Sequence, residues 1–311
     1  MSDVVLITGA RGFAGGHLVE HLASSHRIVA WTRSSPPEEL AGLAQWDRLD
    51  LLDRDRVRSA IASLRPSRVY HCAGMPNVAE SFRDTAAGLE ANVLASEHLF
   101  DALRRADVRC RVLVTSSAAV YAASEQPISE DHTLAPASPY ALSKLAQEEL
   151  ARRAASEDGL DIVIARAFNH TGPRQTAAFV APGIARQIAL IETGTCEPII
   201  RVGNIAAKRD ITDVRDVVRA YAALMTSGVS GMVYNVASGT ARSIRSLLDE
   251  LIARSKVPVQ VETEPARMRP NDVPVLVGDS SRLERATGWR PTISFDRMLD
   301  DLLAYWRQQN T

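Results

Sequence analysis

Two side chains in the segment Ser138-Pro139-Tyr140-Ala141-Leu142-Ser143-Lys144 could together move a proton. Tyr140 and Lys144 stand four residues apart, and on a helix that spacing puts them on one face. A phenol beside an ammonium holds and releases its proton at a lower pH than free tyrosine, whose pKa is about 10. Such a pair suits proton exchange with a sugar or alcohol oxygen while a hydride passes to or from a nicotinamide. Alone, Y-x-x-x-K is weak, because most such pairs are solvated helix surface. Its weight comes from its surroundings.

The apolar run 4–8 leads directly into Gly9-Ala10-Arg11-Gly12-Phe13-Ala14-Gly15-Gly16, a G-x-x-G-x-x-G spacing. Gly9 permits a tight strand-to-helix turn, Gly12 lets backbone amides approach a pyrophosphate, and Gly15 lets the helix pack closely on the strand. The helix N-terminus adds partial positive charge. The glycines alone also fit a plain turn. The strand before them and the helix after them make the segment 9–15, including Arg11, Phe13 and Ala14, a dinucleotide cradle. An NAD-binding fold carries an acid after its second strand for the ribose hydroxyls. Here that strand ends Trp31-Thr32-Arg33-Ser34-Ser35, without an acid. Arg33 suits a 2′-phosphate, with Ser34 donating and Arg11 adding charge, so NADP(H) is favoured and NAD(H) stays open. The alternative for Arg33 is an exposed loop arginine. Asp50 and Leu51 could meet the adenine edge, and Asp50 could equally be a turn residue.

A scaffold must bring these residues together. Runs 4–8, 27–31, 68–71, 111–115 and 161–166 read as buried strands, and 14–23, 54–63, 85–105 and 139–155 as amphipathic helices. The alternation predicts an α/β fold with a doubly wound parallel sheet of Rossmann type. After Arg166 the rhythm loosens: Gly172-Pro173, Ala181-Pro182-Gly183 and 268–272 mark loops, and helices follow at 180–192, 214–226, 243–255 and 295–308. The expected division is a dinucleotide-binding domain over 1–166 and a smaller α+β substrate lobe over 167–311. Segments near 205–237 would return to the first domain. A cleft between the two is the expected ligand site.

The chain has 311 residues, 46% apolar and 23% charged, enough for a real core. A formal net charge of −1 offers no general attraction to nucleic acid or an anionic membrane. Cys72, Cys110 and Cys196 form no C-x-x-C pair and suggest neither a metal site nor a disulfide framework. The first apolar run is too short for a signal core or a membrane span, and a cytoplasmic protein is expected.

The chain resembles the extended short-chain dehydrogenase/reductase family of nucleotide-sugar enzymes over nearly its whole length. The resemblance rests on the glycine loop, His71-Cys72-Ala73-Gly74, Asn92, Thr115-Ser116-Ser117-Ala118-Ala119-Val120-Tyr121, and Pro139-Tyr140 with Lys144. It implies that Ala73 and Gly74 line the cofactor site and that Ser117 hydrogen-bonds the reacting oxygen. Tyr140 would supply the proton, and Lys144 would lower the phenol pKa and hold the nicotinamide ribose. Asn92 would bond backbone and orient water. Later matches are Arg166-Ala167-Phe168-Asn169-His170-Thr171-Gly172-Pro173, the segment 208–217, the loop 267–272 and Gly288-Trp289-Arg290-Pro291. They imply that Asn169, Arg209 and Arg269 meet the sugar diphosphate. For both arginines an ordinary surface ion pair is the alternative. His170 could touch substrate or serve its loop, and Trp289 reads as core. Within the family, F-N-H-x-G-P, A-R-Q-I-A and P-A-R-M-R most resemble the GDP-4-dehydro-6-deoxy-D-mannose reductases, which form GDP-D-rhamnose with NAD(P)H. Ala118-Ala119 stand where dehydratases carry an Asp-Glu pair, which argues against dehydration. A 4-epimerase with tightly bound NAD stays open, as does a non-catalytic dinucleotide sensor, although sensors of this fold usually lack the Tyr or the Lys. No short motif reads guanine. The family dimerises through two helices from each subunit. Here 85–105 carries Ala86, Leu89, Leu94, Leu99 and Leu103, and 139–155 carries Ala141, Leu142, Leu145, Ala146 and Leu150. A homodimer through a four-helix interface is expected, unless these residues are covered within the subunit.

Overall fold

A computed structural model describes residues 4–267 and 273–310. The elements, in chain order, are β1 (Val4–Thr8), α1 (Phe13–Leu22), β2 (Arg27–Thr32), β3 (Gln45–Arg48), α2 (Arg54–Leu64), β4 (Arg68–His71), α3 (Val78–Arg83), α4 (Thr85–Leu89), α5 (Ala95–Arg105), β5 (Arg111–Ser117) and α6 (Pro139–Ser156). Then come β6 (Asp161–Ala167), β7 (Asn169–Thr171), α7 (Val180–Glu192), β8 (Ile199–Val202), β9 (Lys208–Asp213), α8 (Val214–Ser227) and β10 (Val233–Val236). The last are β11 (Ala241–Ser243), α9 (Ile244–Ala253), β12 (Gln260–Thr263), β13 (Val275–Leu276), α10 (Ser281–Thr287) and α11 (Phe295–Gln308).

Seven strands form one sheet in the order β10-β6-β5-β4-β1-β2-β3, every neighbouring pair parallel. β1 is buried at all five positions, as an apolar run covered on both faces must be. Leu99 and Leu103 of α5, Val57 and Ile61 of α2 and Ala151 of α6 cover one face. Leu18 of α1, Tyr221 of α8 and Leu283 of α10 cover the other. The chain direction across the sheet reverses between β1 and β4. In such folds ligands bind at the carboxyl ends of the strands beside this switch.

The rest of the chain builds a second core, in which Ile184 and Ile188 of α7, Leu247 and Leu251 of α9, and Leu299 and Leu302 of α11 pack together. Beside it, β9 pairs antiparallel with β11 and parallel with β13 and β7. β12 pairs with β8. Among the described residues no helix is long and apolar enough to cross a membrane.

The continuous helix expected over 85–105 is interrupted. A π-helical turn, Glu90–Leu94, joins α4 to α5. The apolar excess on this helix and α6 is also narrower than expected. Leu99, Leu103 and Ala141 are buried within the subunit, whereas Leu94 and Leu142 are 43% and 51% exposed, and Phe82 on the adjoining α3 is 60% exposed. We propose that this remaining patch is the dimer face. Light scattering at micromolar concentration should give twice the chain mass, and Leu142→Arg should shift the protein towards monomer. A monomeric wild-type mass with full activity would defeat the dimer.

Candidate active site

Ser138 caps α6 by accepting a hydrogen bond from the Ala141 amide, and Pro139 occupies the first turn, where its missing N–H costs nothing. The helix is seated by a buried ion pair. Arg166 of β6 donates from Nη2 to Glu148 Oε2 at 2.6 Å and from Nε to Oε1 at 2.8 Å. The two side chains are 1% and 0% exposed. Ser116 Oγ also donates to Glu148, and Arg166 Nη1 donates to the Tyr121 hydroxyl at 2.8 Å. Ser116 is therefore committed to the ion pair, and its neighbour Ser117, at the end of β5, stands close enough to the Tyr140 phenol to draw its pKa down.

Lys144 is buried, and its Nζ donates to Thr115 O at 2.7 Å and to Gln147 Oε1 at 2.8 Å. An ammonium has three protons, so one is left for the site. Burial pushes Lys144 down to about 8, with Cys72 and Glu148 opposing. The effect on Tyr140 differs from the expectation that Lys144 would lower its pKa. Burial pushes the phenol up, offset in part by Ser117, and the ammonium is directed at Thr115 and Gln147 instead. At neutral pH the phenol keeps its proton, the state a proton donor needs.

The π-helical turn places Asn92 inside, fully buried. Such turns recur at functional sites because the widened ladder re-aims one side chain. Asn92 Oδ1 accepts from the Met75 amide at 2.9 Å, and Nδ2 donates to Ser143 Oγ at 2.8 Å. Ser143 Oγ in turn donates to Tyr140 O at 2.8 Å. Asn92 thus bonds backbone and joins two walls of the site.

The glycine loop fits a dinucleotide. Gly9 has φ 66°, and a Cβ there would lie 2.6 Å from the Ala73 backbone. A Cβ on Gly15 would lie 2.3 Å from Gly9 O, and one on Gly74 2.3 Å from Asn92 Oδ1. Gly12 caps α1 with no side-chain hydrogen bond and no acid in the first turn, which leaves the helix N–H groups available to an anion. Arg11 and Arg33 are exposed. Arg33 follows β2, and Arg48 Nε donates to its carbonyl at 3.0 Å. Asp50 serves its turn, accepting from the Leu52 amide at 3.0 Å. The buried Leu51 offers its carbonyl to His98 Nδ1 at 2.8 Å.

Asn169 is exposed at the start of β7, paired with Ile211 of β9, and Arg209 lies two residues earlier on β9. His170 donates from Nδ1 to Phe168 O at 2.9 Å and stacks on Phe13 with centroids 5.8 Å apart. These contacts give it a place in the loop. Trp289 is core, its Nε1 donating to Asp216 O at 3.0 Å. Arg269 lies outside the described residues. Gln147 is the residue that sequence reasoning missed. The available signal was a polar residue one turn after Lys144 on the helix face turned towards the sheet.

The sequence pattern described as GDP-mannose 4,6-dehydratase matches residues 6–302. The chain is 36% identical to the GDP-6-deoxy-D-mannose reductase of Pseudomonas aeruginosa, across 99% of both chains. It is 28% identical to a UDP-glucose 4-epimerase of Mycolicibacterium smegmatis, across 98% of this chain and 99% of that one. Among solved structures, that of RMD from Pseudomonas aeruginosa complexed with NADPH superposes with a TM-score of 0.88 at 35% identity, covering 99% of this chain and 100% of that chain.

The seating of α6 can be tested by denaturation. Arg166→Met would leave the Glu148 carboxylate buried without its partner, and loss of one member of a buried pair costs about 3–5 kcal/mol. Urea unfolding should show a loss of that size, and Arg166→Met with Glu148→Met should recover part of it. A single variant as stable as wild type would show that the pair does not seat the helix.

Proposed function

We propose that this chain, which belongs to the GDP-mannose 4,6-dehydratase family of extended short-chain dehydrogenases/reductases, reduces the C4 ketone of a nucleotide-linked 4-dehydro-6-deoxyhexose with NADPH. GDP-4-dehydro-6-deoxy-D-mannose is the substrate and GDP-D-rhamnose the product. The observation that carries the reading is the grouping of the Tyr140 phenol, which burial holds protonated, with Ser117 and the buried Lys144, and two alanines directly after Ser117 beyond the end of β5. Full-length similarity to a GDP-6-deoxy-D-mannose reductase supports the choice of substrate.

A dinucleotide held by the glycine loop would supply the hydride for C4. Tyr140 gives its proton to the carbonyl oxygen as negative charge develops there, so that ketone, hydride and proton become an alcohol. Ser117 is the second donor to that oxygen. The remaining proton of Lys144 would hold the nicotinamide ribose of a bound dinucleotide. Asn169, Arg209 and Arg269 grip the sugar diphosphate, the arginines because their planar fork binds two oxygens at once. Arg33 and Arg11 take the 2′-phosphate. Ala118 and Ala119 have no group that exchanges protons, so the second acid/base step of a dehydration has no agent in this site.

The deciding assay is NADPH oxidation with GDP-, dTDP- and UDP-linked 4-keto-6-deoxy sugars, with the product identified by NMR. Turnover should be fastest with the GDP sugar. Interconversion of 4-epimeric sugars with no net NADPH use would replace the reductase with an epimerase, and tight dinucleotide binding without turnover of any sugar would mark a sensor. Tyr140→Phe should lower turnover by roughly two to four orders of magnitude, with NADPH affinity little changed. Turnover near normal would remove Tyr140 from its role. Arg33→Ala deletes a charge-assisted bond and should weaken NADPH roughly ten- to a hundredfold, leaving NADH nearly unaffected. Equal weakening of both cofactors would make Arg33 an ordinary loop residue.

A further inference from the structure

Lys144 is an exception in this chain. The sequence has three lysines, Lys144, Lys208 and Lys256, against 33 arginines. Lys208 and Lys256 are exposed, and Lys144 is the buried one. An ammonium taken out of water needs acceptors supplied by the fold. One is the Thr115 carbonyl and the other is the Gln147 side chain. We propose that Gln147 is a positioning residue for Lys144, a fixed neutral acceptor whose orientation is dictated by a hydrogen-bond chain reaching back to the strand that opens the glycine loop. The proposal rests on the role given to Lys144 above.

The direction of every bond in that chain follows from its ends. Ser96 Oγ lies 2.6 Å from Asn92 O, which can only accept, so Ser96 spends its proton there. The Ser96 oxygen then accepts from Gln147 Nε2 at 2.8 Å and from His71 Nε2 at 2.9 Å. His71 must therefore carry its proton on Nε2, and its Nδ1 accepts from Thr8 Oγ1 at 2.8 Å. Thr8 Oγ1 is free to accept from the Ala73 amide at 3.3 Å. With Nε2 bound to Ser96, the amide of Gln147 cannot turn over, because that would point NH₂ at the ammonium and a lone pair at a lone pair. Oε1 therefore faces Lys144. Thr8, His71, Ser96 and Gln147 come from β1, β4, α5 and α6, so four elements agree on one position for Nζ.

The groups facing Lys144 leave this task to neutral atoms. His71 on β4 is held neutral, pushed down to about 3 by burial and by Lys144 itself. Cys72, just after β4, is pushed up to about 12 by burial and stays a thiol. Glu148 on α6 is engaged by Arg166. Tyr140, one turn earlier on α6, keeps its proton. A neutral acceptor holds the ammonium in place without pinning it as a carboxylate would. It also leaves the pH at which the charge is lost close to neutral, since burial sets Lys144 at about 8.

Three lysines make the test direct. Protein labelled with ¹³C at the lysine ε position gives three signals, and Lys144→Met identifies the buried one. In wild type that signal should titrate near pH 8, with Lys208 and Lys256 as exposed references. Gln147→Glu, in which the Ser96 hydroxyl can turn from Asn92 to the carboxylate, should raise the midpoint by roughly one unit or more. Gln147→Met removes a hydrogen bond to a charged group and should lower it by roughly one unit. NADPH affinity, measured by fluorescence without any sugar, should weaken as Lys144 loses its proton, with the pH of that loss moving in the same sense in each variant. A midpoint unmoved in both variants, or moved the same way in both, overturns the proposal. If the methionine variant does not fold, the near-isosteric glutamate variant decides alone: an upward shift supports the assignment and an unmoved midpoint overturns it. Lys144→Met with undiminished turnover and NADPH affinity would overturn the role of Lys144 itself, a result separate from the titration of Lys144 in the Gln147 variants.

Discussion

The ion pair between Arg166 and Glu148 is the constraint on which the site depends. Two charges removed from water must find each other and must satisfy their remaining hydrogen-bonding atoms. Here that demand draws in Ser116 from β5 and Tyr121 beyond it, and Tyr121 reaches Asn235 of β10 at 2.7 Å. Three neighbouring strands and α6 are thereby tied to one point. Glu148 stands four residues after Lys144 and eight after Tyr140, so the three side chains fall within about 80° of one another around the helix axis. Once the carboxylate faces inwards, the ammonium and the phenol face the strand ends as well. The rotation of the helix is set by a residue that takes no part in the chemistry.

The second half of the chain meets this arrangement at β6. The strand ends at Ala167, Phe168 is buried, and the chain enters β7 at Asn169 as part of a different sheet. One residue between two sheets is too little for a loop, so Asn169 is delivered next to the strand ends. Asp210 of β9 secures the other side. Its carboxylate accepts from the amides of Ser238 and Gly239, both at 2.8 Å, and from Ser238 Oγ at 2.6 Å. The small sheet is thus anchored to the turn that follows β10. One pair of apolar cores lies about the large sheet and one core among α7, α9 and α11. Near the site the lobes are joined by these polar contacts and by a smaller apolar cluster, in which Leu276 of β13 packs against Ala118, Val120, Tyr121, Phe168 and Ala237.

Strong local signals made much of this legible in the sequence. The glycine loop needs backbone room that no other residue allows, and the helices at 180–192 and 295–308 have the bounds their apolar spacing gives. Local signals failed where distant contacts decide. Nothing in Glu90-Ala91-Asn92-Val93-Leu94 marks a π-helical turn, because its partners are Met75 and Ser143. The Tyr140-Lys144 spacing gave a shared face but not the direction of the ammonium, which the Thr115 carbonyl sets from another strand. Helical periodicity identified apolar positions on the long helix but could not say that Leu99 and Leu103 serve the subunit core while Leu94 stays outside. The place of Gln147 one turn after Lys144 was legible, but the role of a buried polar side chain is explained only by its partners, Lys144 and Ser96.

The turn at Glu90–Leu94 makes the long helix tolerant of a change in length in a way that most helices are not. A π-helical turn accommodates one residue more than the regular ladder needs. Removing one residue from this stretch would let the ladder close, and α4 and α5 would keep nearly the same relative rotation, because five residues of a π-turn advance about as far around the axis as four of an α-helix. What would go is the local widening that carries Asn92 to Met75 and Ser143. A deletion in a regular helix turns everything upstream by about 100°, whereas here it would spare the packing of both flanking segments and fall on the placement of one side chain.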